Sequence, residues 1–451
     1  MKRILSLILL AAILVLSFGC SGSGRNNISE ADNRGIKTLK PLVVYYPRYA
    51  EDYSSLGSIY RTAAQIFSET YGKEVELYPS PSWEDITSGQ FSLEEYKDKL
   101  MAEIISGNGP DIFLASSSWS VFWDIYKKID AGAFFDLNKY LEKDIEFDFN
   151  LLENTVMDAG LYKEGRYIIP LSYQVPLLLV TQEKLTESGF IKNDVYTYDG
   201  FMSMWEKLHL KNMLLSTGDQ GWASLAGCCG WLEESIDFEN KTTDFDMPSF
   251  RRMIELMANE TRIGNKKNQM NNQQSTMFNE GLFYCSVNGI GGWINSINEE
   301  FELNDNILLL SVPNAFGSAT AYVDDYCLVS QTSANKDEVW DFVKILLSEE
   351  LQSKWGETIV SLSAPVRSDC IDSYINATAK RFVSEEGSYT DNDGFKDEAK
   401  NIYLSYDNAV IPETKGNILY ALRDYIYEPD KNDFDKLKAE TVNYFKIYLS
   451  E

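Results

Sequence analysis

Apolar positions recur every third or fourth residue in "SLEEYKDKLMAEIIS", where Leu93, Tyr96, Leu100, Met101 and Ile104 fall on one face of a 3.6-residue repeat. Ser92 and Glu95 stand at capping-box spacing, so the pattern predicts a helix. Gly107 fits the left-handed position that closes it, and Pro110 forbids its continuation. The period then changes. "DIFLA" (Asp111 to Ala115) is a short unbroken apolar run, which suits a buried parallel strand. Upstream, "PLVVYYPRY" reads as a strand, Ile59, Ala63, Ile66 and Phe67 as the inner face of a helix ending at Gly72, and "KEVELYP" as a second strand. The rhythm β-α-β-α-β before residue 116 predicts a doubly wound α/β sheet. Ligands of such sheets gather beyond the carboxyl ends of the strands, here Ser116, Ser117, Ser118 and Trp119. Asp111, at the turn into the strand, is read as structural, accepting backbone N–H groups.

Further on, "GRYIIPLSYQVPLLLVTQEKL" predicts two apolar strands around Pro170 and Pro176, a place for the chain to cross between lobes. "YTYDGFMSMWEKL" predicts a helix, Leu282 to Val287 a strand before a glycine-rich bend, and "NILLLSVPN" and "YCLVS" later strands. "KDEVWDFVKILLSEELQSKW" predicts an amphipathic helical pair. Trp123, Trp205 and Trp340 lie in helical patterns and read as core, whereas Trp119, Trp222 and Trp293 stand at strand ends or glycine turns.

The first 20 residues carry Lys2 and Arg3, an apolar run and a small residue before Cys20, the form of a secretory signal. Beyond residue 20 no apolar run approaches the ~20 residues needed to cross a bilayer. Residues 21–40 form a polar, flexible linker. The chain has 451 residues, enough for two or more lobes. Its 41 Lys and Arg against 68 Asp and Glu give a net charge of −27, which disfavours nucleic acid and anionic solutes as partners. Cys228, Cys229, Cys285, Cys327 and Cys370 show neither disulfide nor zinc spacing and read as buried small hydrophobes. No metal and no cofactor is implied. The single histidine, His209, reads as an exposed or helix-end residue, and no nucleophile elbow, metalloprotease motif or phosphate loop accompanies it. The adjacent acids Asp324 and Asp325 do not face a common point on a strand.

Taken in order, "YKDKLMAEIISGNGPDIF", "EGRYIIPLSYQVPLLLVTQEKLTESGF" and "FNEGLFYCSVNGIGGW" resemble the extracellular solute-binding proteins of the maltodextrin-binding type, the capture components of ABC importers. "VSQTSANKDEVWDFVKILLSEELQSKW" and "LSAPVRSD" are weaker echoes, and the N-terminus resembles a lipoprotein signal in which Cys20 carries the lipid, with plain secretion as the alternative. The resemblance implies an α/β, two-lobed periplasmic-binding-protein fold of type II, each lobe a mostly parallel sheet flanked by helices. Lobe one would take residues 41–171 and 325–362, lobe two 177–319 and 366–451, with hinges at Pro170–Pro176, Thr320–Asp324 and Ser363–Pro365. It implies a monomer on the outer face of the cell membrane, held through Cys20, that delivers a mono- or short oligosaccharide to the permease subunits of an importer. A receptor presenting its ligand to a membrane sensor is the alternative, and a carbohydrate hydrolase the more distant one. Carried over position by position, the family's ligand contacts fall on Tyr46, Arg48, Ser117, Ser118, Trp119, Tyr173, Asp219, Trp222, Asn288 and Trp293, and Asp324 is a further candidate as a carboxylate for sugar hydroxyls, with a solvated loop acid as the alternative. Leu419 stands where the maltodextrin binders have a stacking tryptophan, which argues against a long glucan.

Overall fold

A computed structural model describes residues 40–48, 56–89, 92–117, 124–192, 196–217, 235–271, 281–286, 307–314, 319–355, 363–380, 393–411 and 422–450. No helix among them is long and apolar enough to cross a membrane. Cys20 and its flanking segments lie outside the described residues.

The alternation read from the first hundred residues is present. Strand β1 (Leu42–Tyr46), helix α1 (Leu56–Tyr71), strand β2 (Val75–Pro79), helix α2 (Leu93–Ser106) and strand β3 (Ile112–Ser116) follow in turn, and β1 pairs in parallel with both β2 and β3. The Ser92 hydroxyl accepts the Glu95 N–H at 3.3 Å to start α2. Gly107 closes it at φ 73°, and a Cβ on Gly109 would meet the Ile104 backbone at 3.1 Å, so both glycines are needed for the turn into β3. Asp111 then fixes that turn. Its carboxylate accepts the Val43 N–H at 3.0 Å, the Ser333 hydroxyl at 2.5 Å and the Asn335 amide at 3.2 Å, tying β1 and the segment before α6 to the turn. β3 is buried along its whole length.

After β3 comes the short helix α3 (Ile125–Asp130), and the chain then passes from sheet to sheet. Where two strands were expected around Pro170 and Pro176 there are three, β4 (Ile168–Pro170), β5 (Ser172–Gln174) and β6 (Leu177–Thr181), and each belongs to a different sheet. Helix α4 (Tyr198–Leu210), strand β7 (Leu214–Thr217), helix α5 (Pro248–Asn271), strand β8 (Gly281–Ser286) and strand β9 (Ile307–Ser311) follow. Strand β10 (Ala319–Val323) and strand β11 (Asp325–Val329) lead to helix α6 (Lys336–Leu346). The chain ends through strand β12 (Ala364–Pro365), helix α7 (Ile371–Lys380), helix α8 (Asp393–Tyr403), strand β13 (Tyr406–Val410) and helix α9 (Phe434–Ser450).

Three sheets of four or five strands result, in the orders β2-β1-β3-β11-β4, β9-β6-β8-β7 and β12-β5-β10-β13, beside two short hairpins, Leu161–Tyr162 with Gly165–Arg166 and Ile236–Asp237 with Thr242–Thr243. In each sheet one strand runs against all the others: β11 in the first, β6 in the second and β5 in the third. The sheets are therefore mostly parallel in strand direction, each carrying a single reversed strand.

Two hydrophobic clusters are built on these sheets. The side-chain alternation of a strand divides them: Leu177 and Leu179 of β6 and Leu309 of β9 join the larger cluster, while Leu178, Val180 and Leu310 join the second. Trp205 and Trp340 are buried, as their helical patterns predicted, and so are the free thiols of Cys327 and Cys370. Trp123, Cys228 and Cys229 and the side chain of Cys285 lie outside the described residues.

His209 requires a correction. It occupies the last turn of α4 but turns inward, its side chain only 9% exposed, and its Nε2 lies 2.5 Å from the buried Glu260 carboxylate. Trp205 sits one turn earlier on the same face and donates its indole N–H to Glu260 at 2.8 Å, and the Leu215 N–H adds a third bond at 2.6 Å.

Candidate functional site

Strands β10 and β11 belong to different sheets and are separated by one residue, Asp324. With so little chain for the change of sheet, this residue's own groups hold the neighbouring segments. Its N–H donates to the Ser172 carbonyl at 3.0 Å, and its carbonyl accepts the Ser117 N–H at 2.8 Å. The side chain does the rest. One carboxylate oxygen accepts the Ser117 hydroxyl at 2.9 Å and the Ser116 hydroxyl at 3.3 Å; the other accepts the Gln174 amide at 3.0 Å and the Ser363 hydroxyl. The Gln174 amide also donates to Ser363 Oγ at 3.0 Å. Asp324 thus joins the carboxyl end of β3, the first passage between sheets at β5, and the segment entering β12.

Asp325 faces other partners, as expected for neighbours on a strand. The Ser172 hydroxyl donates to its carboxylate at 2.7 Å, its N–H donates back to Ser172 Oγ at 3.0 Å, and its carbonyl accepts the Leu171 N–H at 2.7 Å. Burial, then repulsion from Asp324, pushes the Asp325 carboxyl well above the usual carboxylate range, against the opposing effect of the Ser172 bond. The two acids are spent on holding the chain, and neither has the arrangement of a general acid facing a nucleophile across a substrate.

The rim residues divide sharply. Arg48, exposed just beyond β1, donates its N–H to the Ser80 hydroxyl at 3.1 Å and so fixes the loop against the end of β2. Ser82 and Asp85 form a reciprocal capping box that starts the helix Trp83–Thr87, and the Ser82 hydroxyl, followed by its N–H, holds the Asp85 carboxyl below its ordinary range. Ser117 is half-buried at the end of β3.

Three of the residues expected to meet ligand are instead occupied by the protein. Tyr46 is buried, its ring edge-on to Tyr60 at 5.9 Å. Tyr173 is wholly buried and donates its hydroxyl to the Tyr403 carbonyl at 2.8 Å, because alternation along β5 turns it into the larger core. Asp324 has both carboxylate oxygens engaged by protein donors, as described above. Ser118, Trp119, Asp219, Trp222, Asn288 and Trp293, with Leu419, lie outside the described residues.

Ser116, Ser172, Gln174 and Ser363 therefore emerge as a group around Asp324. Sequence reading placed each near a strand end or passage, yet a hydrogen bond between positions 150 or 208 residues apart leaves no mark in local spacing.

The model of the bacterial extracellular solute-binding protein family matches residues 84–382. The chain belongs to that family. The family is one of extracellular binding proteins, which places this solute-binding protein outside the cytoplasm. Its fold is shared with the sugar-binding protein MalE from Xanthomonas citri, at 14% identity and a TM-score of 0.61, over 91% of this chain and 98% of that one. It is shared also with an ABC substrate-binding protein from Listeria monocytogenes in complex with cycloalternan, at 12% identity and a TM-score of 0.55, over 91% and 100% of the two chains. A solute-binding protein from Thermotoga lettingae bound with α-D-tagatose gives 15% identity and a TM-score of 0.51, over the same 91% and 100%. No curated protein matches the sequence. The type II periplasmic-binding-protein fold expected from the motif order is the fold of these neighbours.

Proposed function

We propose that this solute-binding protein captures a mono- or short oligosaccharide between two lobes, residues 41–171 with 325–362 and residues 177–319 with 366–451, and passes it to the permease subunits of an ABC importer. The observation that carries the reading is the junction at Asp324, where passages between sheets converge beside the carboxyl end of β3. A small rotation of backbone there moves one lobe against the other, and the loop just beyond β3 is where an open α/β sheet receives a ligand. That neighbours of the same fold were solved with cycloalternan and tagatose supports a sugar.

Arg48, Ser117, Ser118, Trp119, Asp219, Trp222, Asn288 and Trp293 are the proposed ligand contacts, flat rings for the C–H faces of the sugar and polar groups for its hydroxyls. Tyr46 and Tyr173, buried, and Asp324, with both carboxylate oxygens accepting from protein donors, are assigned to holding the chain. Thermal unfolding of the protein against a panel of mono- and oligosaccharides tests the reading, since a ligand of the folded state alone raises stability by RT ln(1 + [L]/Kd). A shift with at least one short sugar and no release of reducing ends is expected. Steady hydrolysis, or no shift with any sugar while another solute class gives one, overturns it.

The signal-like N-terminus and polar linker support a lipid on Cys20 that holds the protein, as a monomer, to the outer face of the membrane. Wild type is expected in the membrane fraction and Cys20→Ala in the soluble fraction; equal partition sinks the anchor.

A further inference from the structure

The first residues of helix α3 reach across to segments that pack against the second hydrophobic cluster. Asp124, the residue before the helix, has a left-handed backbone at φ 70°, a conformation uncommon outside glycine, and its side chain does not cap the helix. Its carboxylate instead accepts the Tyr448 hydroxyl from α9. One turn on, the Lys127 ammonium lies over the Tyr448 ring, 3.9 Å from its centre. Between them in sequence, the Tyr126 ring packs at 4.8 Å on Tyr162 and at 4.8 Å on Phe238. Phe238 is the half-buried residue that packs against both clusters, and the Tyr162 hydroxyl donates to its carbonyl at 3.5 Å.

The receiving side is itself braced. Phe245, two residues beyond the hairpin that flanks Phe238, packs on Phe445 of α9 at 5.7 Å, and both rings lie in the second cluster. Ile125 and Ile129 root α3 in the larger cluster. A left-handed aspartate that bonds Tyr448 instead of capping its helix, a cation over the same ring and an aromatic contact with Phe238 thus all join α3 to α9 and the segment at Phe238. For simple packing of α3 on its own body, none of these is required.

We propose that Asp124, Tyr126 and Lys127 on one side, with Phe238 and Tyr448 on the other, form a latch that holds the ligand-free protein in the arrangement described here. The inference rests on the two-lobe reading proposed above, in which α3 falls in residues 41–171 while Phe238 and Tyr448 fall in residues 177–319 and 366–451. A latch of this kind sets how often the lobes leave this arrangement, and so the rates of solute entry and release, without touching the solute.

The test is an interlobe distance in the absence of any solute. Labels are placed at exposed Glu69 in α1 and exposed Lys436 in α9 by a chemistry that spares the native thiols. Pulsed dipolar spectroscopy on the ligand-free chain is expected to give one dominant distance matching this structure. In Phe238→Ala combined with Tyr448→Ala, the population at other distances, relative to the one matching this structure, is expected to rise about tenfold or more, the scale of losing one ring contact and one cation–ring contact. Tyr448→Phe, which keeps the ring under Lys127 and loses only the hydroxyl, is expected to fall between. A wild type whose dominant distance does not match this structure overturns the latch. So does a double variant that melts lower with an unchanged distance, because the contacts are then packing alone. A latch that opens as expected in a protein that binds no sugar leaves the inference standing and removes the carbohydrate reading instead.

Discussion

Glu260→Ala is expected to lower the stability of the second hydrophobic cluster by about 3–5 kcal/mol. Glu260 lies in α5 at 2% exposure, and its two oxygens accept the Trp205 indole N–H, His209 Nε2 and the Leu215 N–H at 2.8, 2.5 and 2.6 Å. Truncation leaves an indole donor and a backbone donor buried without acceptors and opens a cavity beside Trp205, so unsatisfied polar groups and lost packing add. The contact with His209 requires its proton on Nε2, an assignment drawn from the geometry, and Nδ1 has no partner. Glu260→Gln keeps one accepting oxygen and is expected to cost less than half as much. Denaturant midpoints measure the loss, and hydrogen exchange locates it: amides of α4, β7 and α5 lose protection while those of β1 and β3 keep theirs. Equal midpoints for wild type and Glu260→Ala would show that the cluster is bridged by water.

The position of Glu260 shows what local pattern can and cannot reveal. Met253 and Met257 face the core from α5, and Glu260 stands three residues after Met257 on that same face. An acid in the apolar stripe announces a buried polar partner. Trp205 and His209, four apart on α4, complete the signal, and only the approach of the two helices was hidden. The β-α-β-α-β opening was legible for the same reason, since periodicity, Gly107 and Pro110 each act within a few residues.

The ligand contacts were less legible. Tyr173 alternates into the core because β5 is a strand of its own sheet, a fact that depends on β10 and β12, some 150 and 190 residues later. Two strands around Pro170 and Pro176 would have given it the opposite face. Loops beyond strand ends carry solute contacts through side chains whose direction is set by tertiary neighbours, and amphipathic spacing is silent there.

Asp324→Ala is expected to weaken both fold and solute binding, and Asp325→Asn to do the reverse to the fold. Asp324 is the acceptor for three serine hydroxyls and the Gln174 amide, so its removal strands four donors in a nearly dry site at a cost of about 2–4 kcal/mol. Ser116 and Ser117 lose their tether at the end of β3, and the segments at Gln174 and Ser363 lose their common point, so the loop beyond β3 and the passages between sheets loosen together. Solute affinity should fall at least tenfold under conditions where the variant remains folded. Asp324→Asn is the control: serine hydroxyls can turn to accept from the new amide, and the loss should be small. Asp325 behaves oppositely because burial and Asp324 raise its folded-state pKa. The folded chain then binds a proton more tightly than the unfolded chain, so stability falls as pH rises from the ordinary carboxylate range toward the raised folded value. Asn at 325 cannot ionise and can still accept from Ser172. Its melting temperature should exceed that of wild type at neutral pH, and the difference should shrink as pH falls through the window in which Asp325 takes up its proton. A difference that does not vary with pH would mean that Asp325 carries the same charge folded and unfolded, and that Asp324 and Ser172 hold the junction without a proton at its centre.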